Sequence, residues 1–178
     1  MSRLINRWRP SGKVGRSVLR RNAPEIQGVE GLRPRVLADF AGRWTIARRI
    51  IQAGQPQARF EGIAEWTPSG ADLAYQEEGF LHLAGQPPIR AQRRYLWKPD
   101  LSVWFEDGRL FHHVPPTGGG AEHWCAPDTY RVRYRFGQWP RFETTWRVTG
   151  PRKNYAMIST FAPYTEAGTP PNGPQPFR

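Results

Sequence analysis

From Gly42 to Phe161 the chain repeats on a period of two, and nothing else in it constrains the fold as tightly. Segment 42–51 sets Trp44, Ile46, Arg48 and Ile50 on one face, and segment 57–66 does the same with Phe60, Gly62, Ala64 and Trp66. Leu73, Tyr75, Glu77, Gly79 and Leu81 follow in 71–81, then Ile89, Ala91, Arg93, Tyr95 and Trp97 in 89–97. Three later segments alternate as well: Tyr130, Val132, Tyr134 and Phe136; Phe142, Thr144, Trp146 and Val148; Tyr155, Met157, Ser159 and Phe161. Successive side chains of a strand point to opposite faces, so this rhythm reads as strand and not as helix. Segments 101–106 and 109–114 meet at Asp107-Gly108, which predicts a two-residue hairpin because both positions tolerate positive φ. Segment 121–126 follows the loop 115–120 (PPTGGG), which predicts a further hairpin joining it to 109–114. No link has room for a crossover helix, so sequence neighbours pair antiparallel. A meander of about ten strands has two exposed edges unless it closes. The expected fold is therefore all-β, an antiparallel up-and-down β-barrel of eight to ten strands, with a two-sheet sandwich as runner-up. At that strand number the interior is wide enough to hold a ligand.

Composition narrows the remaining choices. Aromatic residues make up 13% of the 178, with 18 Gly and 18 Pro, which suits short strands and tight turns. No apolar run reaches the length of a membrane-spanning helix. The single cysteine, Cys125, excludes an intramolecular disulfide framework and a Cys-rich zinc module. The net charge of +11 is concentrated early: residues 1–35 carry nine basic side chains against Glu25 and Glu30. This divides the chain into a basic, disordered arm (1–36), a barrel (37–163) and a Pro/Gly-rich tail (164–178). The arm has three readings: a solvated arm or an upstream start, a contact for nucleic acid or another acidic partner, or a targeting peptide. Basic tails bind polyanions by releasing counterions, so nucleic acid is expected only as a non-specific contact of this arm.

Phe40-x-Gly42-x-Trp44 at the start of the first strand resembles the Gly-x-Trp signature of the calycin superfamily, which includes lipocalins and fatty-acid-binding proteins. More closely, an ordered set of motifs resembles an uncharacterised bacterial and fungal domain family of unknown function. It is carried by Phe40-Ala-Gly42-Arg-Trp44, Tyr75-Gln-Glu77-Glu-Gly79 and Arg94-Tyr95-Leu-Trp97. It continues in Phe105-Glu-Asp107-Gly108-Arg109-Leu-Phe111-His112, His123-Trp-Cys125-Ala-Pro-Asp128-Thr-Tyr130 and Trp146-Arg-Val148-Thr-Gly150-Pro151-Arg-Lys153-Asn-Tyr155. The resemblance spans about residues 38–162. It implies a calycin-like barrel and brings no activity and no catalytic residues. Lacking a secretory signal or a disulfide pair, the chain is expected to be cytoplasmic.

The residues that carry chemistry are those that alternate inward. A lone buried charge forfeits several kcal/mol of hydration (order of magnitude), so Arg93 and Glu77 demand a partner. Arg93 would hold an anionic group of a ligand, framed by Tyr75 and Tyr95, or it would pair internally with Glu77. In the opposite parity, Arg94 and Glu78 would face in. His123 falls opposite His112 or His113 across the expected hairpin, with Cys125 on its face and Asp128 placed to orient it at a bend near Pro127. These groups fit a polar barrel mouth, a metal or haem ligand, or an acid–base pair of His112 or His123 with Tyr130 or Tyr134. The spacing matches no metal motif, so no metal is assigned, no cofactor is named and catalytic residues stay open. Trp97 and Trp146 offer large, rigid apolar lining, while Trp44 is expected to plug the barrel base. The Arg131, Arg133, Arg135 stripe reads as a solvated face with cross-strand partners such as Glu143. Together these residues predict a small apolar or amphipathic, acidic ligand held by Tyr75, Glu77, Arg93, Tyr95, Trp97, His112, His123, Tyr130, Tyr134 and Trp146. The alternatives are an isomerase, cyclase or hydratase on the same cavity, or a haem-binding barrel.

Overall fold

A computed structural model of the chain describes residues 33–166. The expected arm and tail lie mostly outside the described residues. Ten strands account for most of the described chain: β1 (Gly42–Gln52), β2 (Ala58–Ser69), β3 (Asp72–His82), β4 (Ile89–Trp97) and β5 (Ser102–Trp104) come first. β6 (Leu110–His113), β7 (Gly119–Cys125), β8 (Asp128–Gln138), β9 (Arg141–Thr149) and β10 (Asn154–Pro163) follow. All pair antiparallel in one sheet of order β6-β5-β4-β3-β2-β1-β10-β9-β8-β7. The pairing of β1 with β10, in which Ile46 faces Phe161 and Ile50 faces Met157, joins the two halves of the meander. The result is a nearly closed, antiparallel up-and-down barrel.

The closure differs from the expectation at one place. β6 and β7 are the two ends of the sheet and form no ladder with each other among the described residues. The loop 115–120 therefore bridges a seam and not a hairpin. Pro115 and Pro116 interrupt the approach, and the Gly118 amide turns back onto the Pro115 carbonyl at 2.9 Å. The Asp107-Gly108 turn also differs. It is a three-residue loop (106–108) in which the Phe105 amide bonds the Arg109 carbonyl at 2.9 Å and, of its residues, Gly108 alone has positive φ, +82°. Asp107 keeps ordinary φ because its carboxylate accepts from the Arg109 amide at 3.1 Å and so closes the turn through its side chain.

One end of the barrel is sealed by rings. A turn of 3-10 helix (Leu37–Phe40) lays Phe40, fully buried, across the base. There its ring lies 5.0 to 6.0 Å from those of Trp66, Trp97, Phe136, Trp139 and Phe142. Trp44 joins this plug and donates its indole N–H to the Phe40 carbonyl at 2.8 Å. Arg35, within the expected arm, is buried on the barrel and stacks over Trp139 at 4.7 Å. Gly62 and Gly79 mark the place where β2 and β3 approach too closely for a side chain. They face each other across β2 and β3, where a Cβ on Gly62 would sit 2.1 Å from the Glu78 carbonyl oxygen. Only glycine permits that approach.

Candidate ligand-binding cavity

Above the aromatic plug the barrel is hollow. The cavity measures about 390 Å³. All ten residues named from the sequence line it, contributed by β3, β4, β6, β7, β8 and β9. The parity left open in 89–97 resolves with Arg93 directly across from Glu77, while Arg94 and Glu78 face outward to Glu106 and Arg90.

The deepest charge pairs with Arg93, as one reading anticipated, and more tightly with Arg48, which none did. Glu77 is 2% exposed and takes a two-pronged contact from the Arg48 guanidinium at 2.6 and 2.7 Å. Tyr75 donates its hydroxyl to the same carboxylate at 2.6 Å, and Arg48 donates its Nε–H to Ser159 Oγ at 2.7 Å. Arg93 stands farther off, 3.4 Å from Glu77, and remains two-fifths exposed. Burial alone would raise the Glu77 carboxyl. The Arg48 guanidinium, helped by Arg93, outweighs it and holds the group below the usual carboxylate range. Sequence reasoning placed Arg48 on the inner face and gave it no role. The signal was there: a charge in phase with Trp44, Ile46 and Ile50 must find a counter-charge inside the barrel.

A second polar group sits on β6 and β8. His112 Nε2 and the Tyr134 hydroxyl are 2.8 Å apart, and their rings stack. Burial, followed by the neighbouring imidazoles of His123 and His113, pushes His112 down to about 3, so its ring is neutral. Burial likewise drives the Tyr134 phenol well above its ordinary value. His112 points inward together with its neighbour Phe111 because the register against β5 slips there. Val103 pairs with His112 and Trp104 with Leu110, leaving Phe111 as the extra residue of a bulge. Phe111 was not foreseen, yet it stacks flat on Trp146 at 5.0 Å and on Tyr95 at 5.6 Å, which in turn stacks on Tyr75. These four rings form a continuous wall.

At the other side of the seam His123 and Cys125 share the lining, and Trp124 between them is 69% exposed. Asp128 does not orient His123. Its carboxylate takes the Lys153 ammonium at 2.6 Å, and Lys153 also donates to the Tyr130 hydroxyl at 2.8 Å. Lys153 was missed because it lies beyond the Gly150-Pro151 turn and reaches back only in the folded hairpin. Among the described residues no three His, Cys, Asp or Glu side chains converge as a metal site. The Arg stripe on β8 is a solvated face: Arg131 pairs with Glu122 at 2.5 Å, and Arg135 pairs with Glu143.

The barrel is similar in fold to the S-type phycobiliprotein lyase CPES from Guillardia theta. The TM-score is 0.56 at 10% identity, over 80% of this chain and 99% of that one. No curated protein matches the sequence. No helix among the described residues is long and apolar enough to cross a membrane. The model of one family matches residues 40–163, from the ring that plugs the base to the end of the last strand, and the chain belongs to that family of unknown function, DUF6314.

Proposed function

We propose that the barrel holds one small apolar or amphipathic molecule in its interior, and that Arg93 meets an acidic group on it. The observation behind this is a charge imbalance in an aromatic cavity. Glu77 is the one carboxylate among the lining residues, and Arg48 already engages both of its oxygens. Arg93 is thus a second cation beside a carboxylate that needs only one, and its partial exposure lets it reach an incoming anion. Trp146, Phe111, Tyr95 and Tyr75 supply a flat wall for an aromatic or conjugated body. The likeness to a phycobiliprotein lyase lends this reading a barrel, not a ligand.

Titration with 8-anilinonaphthalene-1-sulfonate, an apolar anion, tests the reading. The expected result is saturation at one probe per chain, with affinity falling roughly tenfold or more in Arg93→Ala, since a charge-assisted hydrogen bond contributes about 1.5–3 kcal/mol. Unsaturable binding, or an Arg93→Ala variant that binds as tightly as the native chain, would overturn it. Native mass spectrometry on protein purified from its own host then reads the mass of what stays bound.

A further inference from the structure

Three donors on side chains that line the cavity are unmatched. Trp66 and Trp97 line it, both are more than nine-tenths buried, and neither indole N–H has a hydrogen-bond partner among the described residues. An indole nitrogen can only donate. The His112–Tyr134 pair adds a third donor, whichever tautomer it adopts. The neutral imidazole has one proton and the phenol one, but a single hydrogen bond joins them. If Tyr134 donates to Nε2, the His112 Nδ1–H is left, and Nδ1 has no partner. If Nε2–H donates to Tyr134, the phenolic proton is left and Nδ1 is a bare acceptor. One donor stays unmatched either way, and unmatched buried donors favour a ligand that accepts.

Strand order places this pair across the barrel from the Arg48–Glu77 ion pair. β3, which carries Glu77, and β8, which carries Tyr134, are five steps apart in a ring of ten, as are β1 with Arg48 and β6 with His112. Arg93 itself lies on β4, two steps from His112 on β6, so one molecule can meet Arg93 and the second polar group without crossing the hollow.

We propose that the ligand is rich in acceptors and poor in donors: an aromatic or conjugated carboxylate bearing carbonyl or ether oxygens toward Trp66, Trp97 and the His112–Tyr134 pair. This rests on the reading that the barrel holds an acidic molecule inside. It adds what the rest of that molecule must offer.

Three matched probes test it on the full chain: naphthalene-2-carboxylate, its 6-acetyl derivative, which only accepts, and its 6-amino derivative, which donates. Quenching of tryptophan fluorescence reads their binding. The expected ranking places the acetyl probe at least tenfold tighter than the parent, with the amino probe no tighter than the parent. In the double variant His112→Phe/Tyr134→Phe the acetyl-to-parent ratio should shrink. The ranking in the native chain stands as a test even if that variant does not fold. Equal affinities for all three, or a preference for the amino probe, would overturn the acceptor assignment and leave the interior-ligand reading standing. If no probe binds, both fall together.

Discussion

Replacing Glu77 by Gln removes one charge and almost no volume from the most buried ion pair of the barrel. The native carboxylate receives two bonds from Arg48 and one from Tyr75. The substituted side chain would keep a carbonyl acceptor, but its amide would turn a donor toward a guanidinium or a phenol that also donates. Arg48, 7% exposed, would remain as an uncompensated buried cation with Ser159 as its closest remaining hydrogen-bond partner. Stripping one partner from a buried pair destabilises by about 3–5 kcal/mol, against well under 1 kcal/mol for an exposed pair. In a domain of this size each kcal/mol lowers Tm by about 3–5 °C, so a loss of roughly 10–20 °C is expected for Glu77→Gln. The double change Arg48→Met/Glu77→Leu fills the same space with apolar groups and is expected to recover most of that loss, because both desolvation penalties vanish together. Urea denaturation of the native chain, Arg48→Met, Glu77→Leu and the double variant supplies the cycle. A Glu77→Gln variant within about 1 kcal/mol of native, or a double variant as unstable as the two singles combined, would refute the coupled pair.

Other expectations follow from single sites. His112 is held at about 3 against an unfolded value near 6.5. The unfolded chain therefore binds the extra proton first, and His112 costs stability as pH falls from 6.5 toward 3. At pH 4.5 the loss relative to neutral pH is about 3 kcal/mol, read as a steeper acid limb in denaturation than that of His112→Gln. A limb of equal slope would argue against a neutral buried ring. Gly62→Ala is expected to unfold the chain or cost more than about 3 kcal/mol, because the new methyl meets a carbonyl oxygen of the paired strand at 2.1 Å. Gly137→Ala, with open space around it and ordinary φ, is its control and should change Tm little. Arg135→Ala breaks only an exposed pair with Glu143 and should shift stability by no more than about 1 kcal/mol, measured by the same melts.

The alternation of inner and outer residues was enough to determine the strands, most of their antiparallel pairing and ten of the residues that line the cavity. Side-chain direction in a strand is fixed by parity, and parity is visible in a sequence. Links too short for a crossover then leave a meander as the ready topology. The tertiary structure alone decided where the barrel stays open and which charges meet. A seam between β6 and β7 depends on whether two distant ends come within hydrogen-bonding distance, which no local pattern records. The bulge that turns both Phe111 and His112 inward breaks the very rule by which parity is read. Arg48 and Glu77 lie on strands that are not sequence neighbours, with β2 between them, so their pairing is set by strand order and register. Lys153, in the turn before β10, likewise reaches Asp128 on β8 with β9 between them. Local chemistry sets which face a residue takes, but only the closed path of the chain sets what it finds there.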